Sequence, residues 1–200
     1  AEDSGQSVLP VLFDLILPLA PGLTERLENG VDALDLGCGR GKAITLMAEA
    51  FPKSRFMGYD LCEDAVAYAR EEAAKKGLAN LTFRTMDATH WNEREAFDLI
   101  CTFDAIHDQA KPQQVLKSIY AALRPGGVYL MQDIKASCHL HKNADHPLGT
   151  LLYTVSCTHC MTVSLAQGGD GLGTMWGVET ALAMLEEAGF RDVQVHELAH

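Results

Sequence analysis

Basic residues are scarce in this 200-residue chain: 16 lysines and arginines stand against 27 aspartates and glutamates, for a formal charge of −11. Binding to a phosphate backbone needs a basic face, so the charge argues against nucleic acid as the main partner of this domain, and the acidic surface weakly favours a cationic ligand. Long hydrophobic runs are lacking too. The apolar segment 8–20 is interrupted by Pro10, Asp14 and Pro18, has no basic region before it and is too short for a span, so neither a signal peptide nor a membrane anchor is expected. There is no internal repeat and no low-complexity tract. The six cysteines are spread along the chain rather than packed into a short secreted scaffold, which reads as reduced thiols and a cytoplasmic protein. At 48% hydrophobic and 22% charged, the composition excludes a disordered or fibrous chain and suits one domain with a sizeable core. The chain begins Ala-Glu-Asp without an initiator Met and stops at His200, so a piece of a longer protein is expected.

What the sequence does have is regular alternation. From Val31 it reads as strand 31–36, helix 42–50, strand 55–60, helix 63–76, strand 81–86, a polar linker containing Trp91, strand 97–103, helix 112–123 and strand 127–134. Such alternation specifies an α/β fold, a doubly wound, mostly parallel sheet sandwiched by helices. Lys76-Gly77 and Arg124-Pro125-Gly126-Gly127 read as helix ends, the second followed by a tight turn. Residues 3–27 carry apolar positions at helical intervals broken by Pro18 and Pro21, so 1–30 are expected to form a helical cap or linker and 31–200 the main domain. Residues 135–173 break the alternation. An insertion of that length is usually a lid or binding loop, or else disorder, and the run Gly168-Gly169-Asp170-Gly171-Leu172-Gly173 would let it move. An amphipathic helix from Thr174 or Gly177 runs to Glu187, Gly189 stops it, and 192–198 alternate as a final strand.

The stretch Asp35-Leu36-Gly37-Cys38-Gly39-Arg40-Gly41 joins the first strand to the helix after it. Glycines at alternate positions let the backbone turn sharply and approach a ligand closely, which points to a nucleoside cofactor; the bland alternative is a plain strand-to-helix turn. A dinucleotide fingerprint needs its third glycine at the sixth position, where Lys42 stands, so a nicotinamide cofactor fits poorly. Asp60 ends the second strand, where a carboxylate can accept both hydroxyls of a ribose, and Asp87 holds the same end of the third. Asp35, Asp60 and Asp87 would then surround one crevice outside the carboxyl ends of the strands. Singly, each also reads as a helix cap or turn residue.

Together these residues resemble the class I S-adenosylmethionine-dependent methyltransferases. In that family the first strand ends in an acid before a G-x-G-x-G loop, matched here by Asp35, Gly37, Gly39 and Gly41, with Cys38 inside the loop. The ribose-binding acid falls on Asp60, followed by Leu61, and the acid-plus-small pair beside the adenine falls on Asp87-Ala88. Phe97-Asp98-Leu99-Ile100 matches the fourth strand, whose last residue, Phe103, joins the implied cofactor site, and Leu123-Arg124-Pro125-Gly126-Gly127 matches the approach to the fifth. The likeness covers residues 31–134 and, in outline, 175–198, and it implies S-adenosyl-L-methionine as cofactor. The segment before residue 31 resembles the linker of members that carry an upstream winged-helix domain. The family's sheet has seven strands, the last antiparallel and inserted between the fifth and sixth, yet only Ala199 and His200 follow residue 198. The seventh strand is therefore expected to be missing, leaving strand six beside a gap that a partner chain, as in a homodimer, or residues outside the sequence would cover.

Methyl transfer is an in-line displacement whose barrier falls chiefly when nucleophile and methyl group are held close and aligned. For a hydroxyl or phenol acceptor, a general base at the mouth of the fourth strand would help. His107, in Phe103-Asp104-Ala105-Ile106-His107-Asp108, resembles the His-Asp pair of small-molecule O-methyltransferases, although Gln109 stands where those enzymes usually carry Trp. Its alternative is a histidine packed in the turn or lining the cofactor pocket. Asp108 and Asp133 are candidates for orienting it or for holding the acceptor. The insertion holds Cys138, His139, His141, His146, Cys157, His159 and Cys160, enough ligands for zinc in number, but Cys157-Thr158-His159-Cys160 lacks a paired zinc spacing and no metal is expected. Tyr153, His159, Cys160 and Met161 either line an acceptor pocket under a mobile lid or form ordinary helix core. The reading reached is methyl transfer from S-adenosylmethionine to a small organic acceptor, with a non-catalytic S-adenosylmethionine-binding regulatory module and a nucleotide-dependent oxidoreductase as alternatives.

Overall fold

The computed structural model describes residues 9–198. The chain forms two compact units, one made of the residues up to Ala105 together with Ala121–Gln132, the other of Ile106–Tyr120 and the residues from Asp133 onward.

In the first unit, short turns between Leu9 and Leu19 bury Leu12, Ile16 and Leu17, and helix α1 (Leu23–Asn29) buries Leu23 and Leu27 one turn apart. Then come β1 (Asp32–Leu36), α2 (Lys42–Ala50), β2 (Arg55–Asp60), α3 (Glu63–Lys75), β3 (Leu81–Thr85), β4 (Phe97–Phe103) and β5 (Leu123–Gln132); helix α4 (Pro112–Ala122), between the last two strands in sequence, belongs to the second unit except for its last two residues. The five strands form one parallel sheet in the order β3-β2-β1-β4-β5. Chain order reverses between β1 and β4, the switch point outside whose carboxyl ends ligands of open α/β sheets bind. Leu34, Leu36, Leu99, Ile100 and Cys101 are almost wholly buried, the continuous apolar run of strands covered on both faces. Helix α3 buries Val66, Ala69 and Ala73 at a spacing of three and four, while its polar positions face out.

The expected strands and helices of this unit recur within a residue or two, with one informative difference. Strand β5 begins at Leu123 rather than residue 127, because Phe97 pairs with Leu123 and Leu99 with Val128, so the turn Arg124-Pro125-Gly126-Gly127 is looped out as a bulge inside the strand.

A polar clamp closes the amino ends of the strands. Arg55 donates from Nε and Nη2 to the two oxygens of Asp32 at 2.5 and 2.8 Å, Arg124 reaches Asp32 at 2.9 Å and Asp98 at 2.6 Å, and the Asp32 N–H donates to Asp98 at 3.0 Å. The guanidinium of Arg55, ahead of the opposing effect of burial, holds the Asp32 carboxyl below its usual range.

In the second unit, residues 135–173 are largely helical: a 3₁₀ turn at Leu140–Asn143, α5 (Gly149–Val155), a π-helical turn at Ser156–Cys160 and α6 (Met161–Ala166). Helix α7 (Val178–Ala188) follows, capped by Gly177 and stopped by Gly189, whose φ of +113° an L side chain rarely adopts. Glu179 in its first turn accepts hydrogen bonds from the Ser137 hydroxyl, the Cys138 N–H and Lys142, which holds its carboxyl far below the usual range and ties 137–142 to α7.

The expected strand at 192–198 is absent. Residues 193–198 adopt no strand, and Val193 and Val195 are exposed. A strand exists through its ladder partner, and among the described residues no segment pairs with this one, so period-two alternation alone did not suffice. Among the described strands, β5 rather than a sixth strand is the edge of the sheet. No described helix is long and apolar enough to cross a membrane.

Candidate functional site

The loop 37–41 leaves β1 through three left-handed glycines, with φ of +77°, +53° and +71° at Gly37, Gly39 and Gly41. Both the Gly37 and Cys38 N–H groups donate to the Tyr59 carbonyl, at 2.8 and 3.1 Å, which folds the loop back over the end of β2. Gly41 has a second reason to be glycine: a Cβ there would lie 2.4 Å from the Phe83 ring. Gly58, on β2 beneath the loop, was not singled out by the sequence, yet its missing Cβ leaves room for the same ring at 2.5 Å and for Cys38 Sγ at 2.9 Å. Its signal was available only as a glycine interrupting an apolar strand.

Asp60 locks this loop. Its Oδ2 accepts the Gly39 N–H at 2.7 Å and its Oδ1 accepts the Cys62 N–H at 2.9 Å, leaving a free lone pair on each oxygen. Asp35, in register with Gly58 of β2 and Cys101 of β4, is only 2% exposed, and its Oδ1 has no hydrogen-bond partner. Burial, with the like charge of Asp60 second, pushes its carboxyl up to about 7. Burial likewise drives the Cys38 thiol far above its usual range, aided by Asp35 and Asp60, so Cys38 is inert as a nucleophile. No lysine or arginine among the described residues pairs with Asp35 or Asp60.

Leu61, the next residue, is 57% exposed, a large apolar side chain left uncovered beside Asp60. Asp87 caps the 3₁₀ turn Ala88–His90: one oxygen accepts the Thr89 N–H at 2.9 Å and the other lies 2.8 Å from His90 Nδ1, while Ala88 is buried. Burial alone would push its carboxyl up, but these partners outweigh it and hold the group below its usual range. Phe103 ends β4 in register with Gln132. Directly after it, Asp104 adopts φ +54°, a left-handed conformation that Asp tolerates better than most residues, and its N–H donates to the Gln132 carbonyl at 2.9 Å.

The remaining candidates lie in the second unit. His107 is 2% exposed, and its Nδ1 lies 2.9 Å from Asp133 Oδ1, which also accepts the Ile134 N–H at 2.8 Å. A carboxylate on Nδ1 favours the tautomer that carries its proton there. Asp108 places Oδ1 3.4 Å from Nε2 with no hydrogen bond to it. The turn carrying His107 is tied to the insertion: Ser164 Oγ donates to the Gln109 carbonyl, the Asp170 N–H to the Ala110 carbonyl, and Lys111 pairs with Asp170. Of the four insertion residues suggested for an acceptor pocket, Cys160 is buried and Met161 half-buried, the Tyr153 hydroxyl accepts from Asn143, and His159 is exposed on the outer side of the π-helical turn.

A model of a methyltransferase domain matches residues 27–189. The chain belongs to the class I S-adenosylmethionine-dependent methyltransferases. It is 34% identical over 107 residues to a trans-aconitate 2-methyltransferase of Variovorax paradoxus, covering 53% of this chain and 39% of that protein. It is 29% identical over 171 residues to an arsenite methyltransferase of Halobacterium salinarum, covering 84% of this chain and again 39% of the relative. The chain thus spans about two fifths of the length of these curated relatives. In fold it is similar to the apo form of the S-adenosylmethionine-dependent methyltransferase SibL, with a TM-score of 0.63 at 23% identity, over 95% of this chain and 50% of that one.

The residues of the first unit fit the family's cofactor. The missing Cβ atoms of Gly37 and Gly41 make room for Ala105 and the Phe83 ring and so hold the loop against the strand ends, and the buried, uncompensated Asp35 beside Asp60 would favour a positively charged ligand.

Proposed function

We propose that this chain binds S-adenosylmethionine at the carboxyl ends of β1, β2 and β3 and transfers its methyl group to a small organic acceptor. The observation that carries the reading is the pair Asp35 and Asp60, unmatched by any cation among the described residues and set against a loop of left-handed glycines. When bound, the cofactor supplies a sulfonium methyl group, already activated for displacement. The chain's own residues do the rest. The two spare lone pairs of Asp60 would take ribose hydroxyls, the exposed Leu61 would cover one face of the adenine, Asp87-Ala88 would flank it, and loop 37–41 would enclose the amino-acid end with Cys38 and Phe103 alongside.

For an acceptor that carries a hydroxyl, His107 takes the proton on Nε2 and Asp133 steadies the imidazolium through Nδ1. Asp108 adds negative charge near the same ring. Their support is a buried imidazole held at Nδ1 by a carboxylate. A carboxylic acid and an arsenic oxyanion, the substrates in the names of the two relatives, are the first acceptors to assay, together with simple phenols. Turnover by the intact protein, with His107→Ala reduced roughly 10²-fold or more while S-adenosylhomocysteine affinity holds, is the expected result. Equal turnover by His107→Ala with acceptor saturating removes the base, and absence of cofactor binding removes the whole reading.

A further inference from the structure

The second unit gathers one ligand of each kind that a transition metal favours. A ring nitrogen of His107, an oxygen of Asp108 and Cys160 Sγ lie within 4.8 Å of one another, with the histidine and cysteine buried. We propose that His107, Asp108 and Cys160 bind a thiophilic divalent transition-metal ion such as Zn²⁺. The four-residue spacing Cys157–Cys160 gave no hint of it, because the site takes a single ligand from that turn and the other two from residues more than fifty positions earlier.

Three observations support the site. At 3.4 Å, His107 Nε2 and Asp108 Oδ1 make no hydrogen bond. That separation equals the spacing of two ligands on one tetrahedral ion, about 3.4 Å for metal–ligand bonds of about 2.0–2.1 Å. Asp108 Oδ1 is itself buried and has no hydrogen-bond partner, an unpaid desolvation that a cation would relieve. Finally, the ring is oriented from behind: Asp133 holds Nδ1 at 2.9 Å, the carboxylate–histidine–metal arrangement that fixes a ligand's tautomer. The Thr174 hydroxyl, 2.9 Å from Cys160 Sγ, can donate to the thiolate that forms when the thiol gives its proton to solvent on binding. Sulfur and imidazole in the set favour zinc, cobalt or iron over magnesium or calcium, and three protein ligands leave a fourth position open.

Binding does not rest on the methyl-transfer reading, but it bears on it. The ion and the acceptor's proton would use the same Nε2 lone pair, so occupancy should inhibit any turnover that depends on His107 as base. The test uses the intact protein stripped of metal with a chelator. Dialysis against Zn²⁺ is expected to leave one ion per chain, and Co²⁺ in its place should give a thiolate-to-metal charge-transfer absorption. Cys160→Ser should abolish that absorption, Asp108→Asn should weaken retention at least ~10-fold, and Asp133→Asn, acting through the ring, by roughly 10–100-fold. Cys157→Ser, altering an exposed thiol on the same turn, should change neither. Should Cys160→Ser not fold, judged by near-ultraviolet circular dichroism, Asp108→Asn carries the test. No ion retained by the wild type, or cobalt absorption surviving in Cys160→Ser, overturns the proposal. Cofactor binding and metal-free turnover are separate readouts, so either idea can fail alone.

Discussion

The two ends of the sheet treat their acids in opposite ways. At the amino ends, Asp32 and Asp98 are held by Arg55 and Arg124, so every charge has a counter-charge and the cluster is complete as it stands. Three residues along the same strand, Asp35 is buried beside Asp60 with no cation and an unpartnered oxygen. The net charge of −11 is thus not spread evenly in consequence: where acids are neutralised they hold strands together, and where they are not a cationic ligand is the proposed counter-charge. A fold has no reason to leave a carboxylate desolvated unless something else completes it.

The largest effect should come from Asp35. Its folded pKa, about 7, lies above the ordinary unfolded value, so the folded state binds the extra proton between about pH 4 and 7 and stability falls as pH rises through that window. A difference of about 3 units corresponds to at most on the order of 4 kcal/mol. Denaturant melts of wild type and Asp35→Asn across pH 4–8 should show the slope in the first and little of it in the second. Asp32 has the opposite sign: its depressed carboxyl stabilises above its unfolded pKa and the contribution is lost as pH falls below it. A common slope for the two sites would break the contrast.

Next comes Asp60→Ala, which removes an acceptor of the Gly39 N–H as well as the proposed ribose contacts. Charge-assisted hydrogen bonds of about 1.5–3 kcal/mol translate into roughly a 10–100-fold loss of S-adenosylhomocysteine affinity, read by calorimetry. Gly41→Ala must strain a backbone at φ +71° and push on Phe83, for about 1–3 kcal/mol and a melting temperature lower by several degrees. The smallest effect is Asp32→Asn, which should lower stability by about 1 kcal/mol and leave cofactor affinity unchanged, since its partners sit at the far end of the strands.

Much of this was legible in the sequence because it is local. The glycine loop, Asp60 and Asp87 each stand at a strand end that hydrophobic alternation locates to within a residue, so their common placement followed from the parallel topology. What was not legible depends on distant partners. Asp98 read only as part of a strand motif, and its arginine lies 26 residues away; Gly58 needed the Phe83 ring above it; Cys160 needed His107. The failed strand at 192–198 teaches the same lesson, since alternation specifies which face is apolar but not whether a neighbour exists to pair with it. Asp87 shows both readings at once, being a turn cap in structure and a candidate adenine neighbour in position.

Calorimetric titration of S-adenosylmethionine into wild type, Asp60→Ala and Asp32→Asn tests the contrast between the sheet ends most directly. One equivalent should bind the wild type and Asp32→Asn alike, with Asp60→Ala weakened at least about 10-fold. No heat with the wild type, or an equal loss in Asp32→Asn and Asp60→Ala, would contradict it.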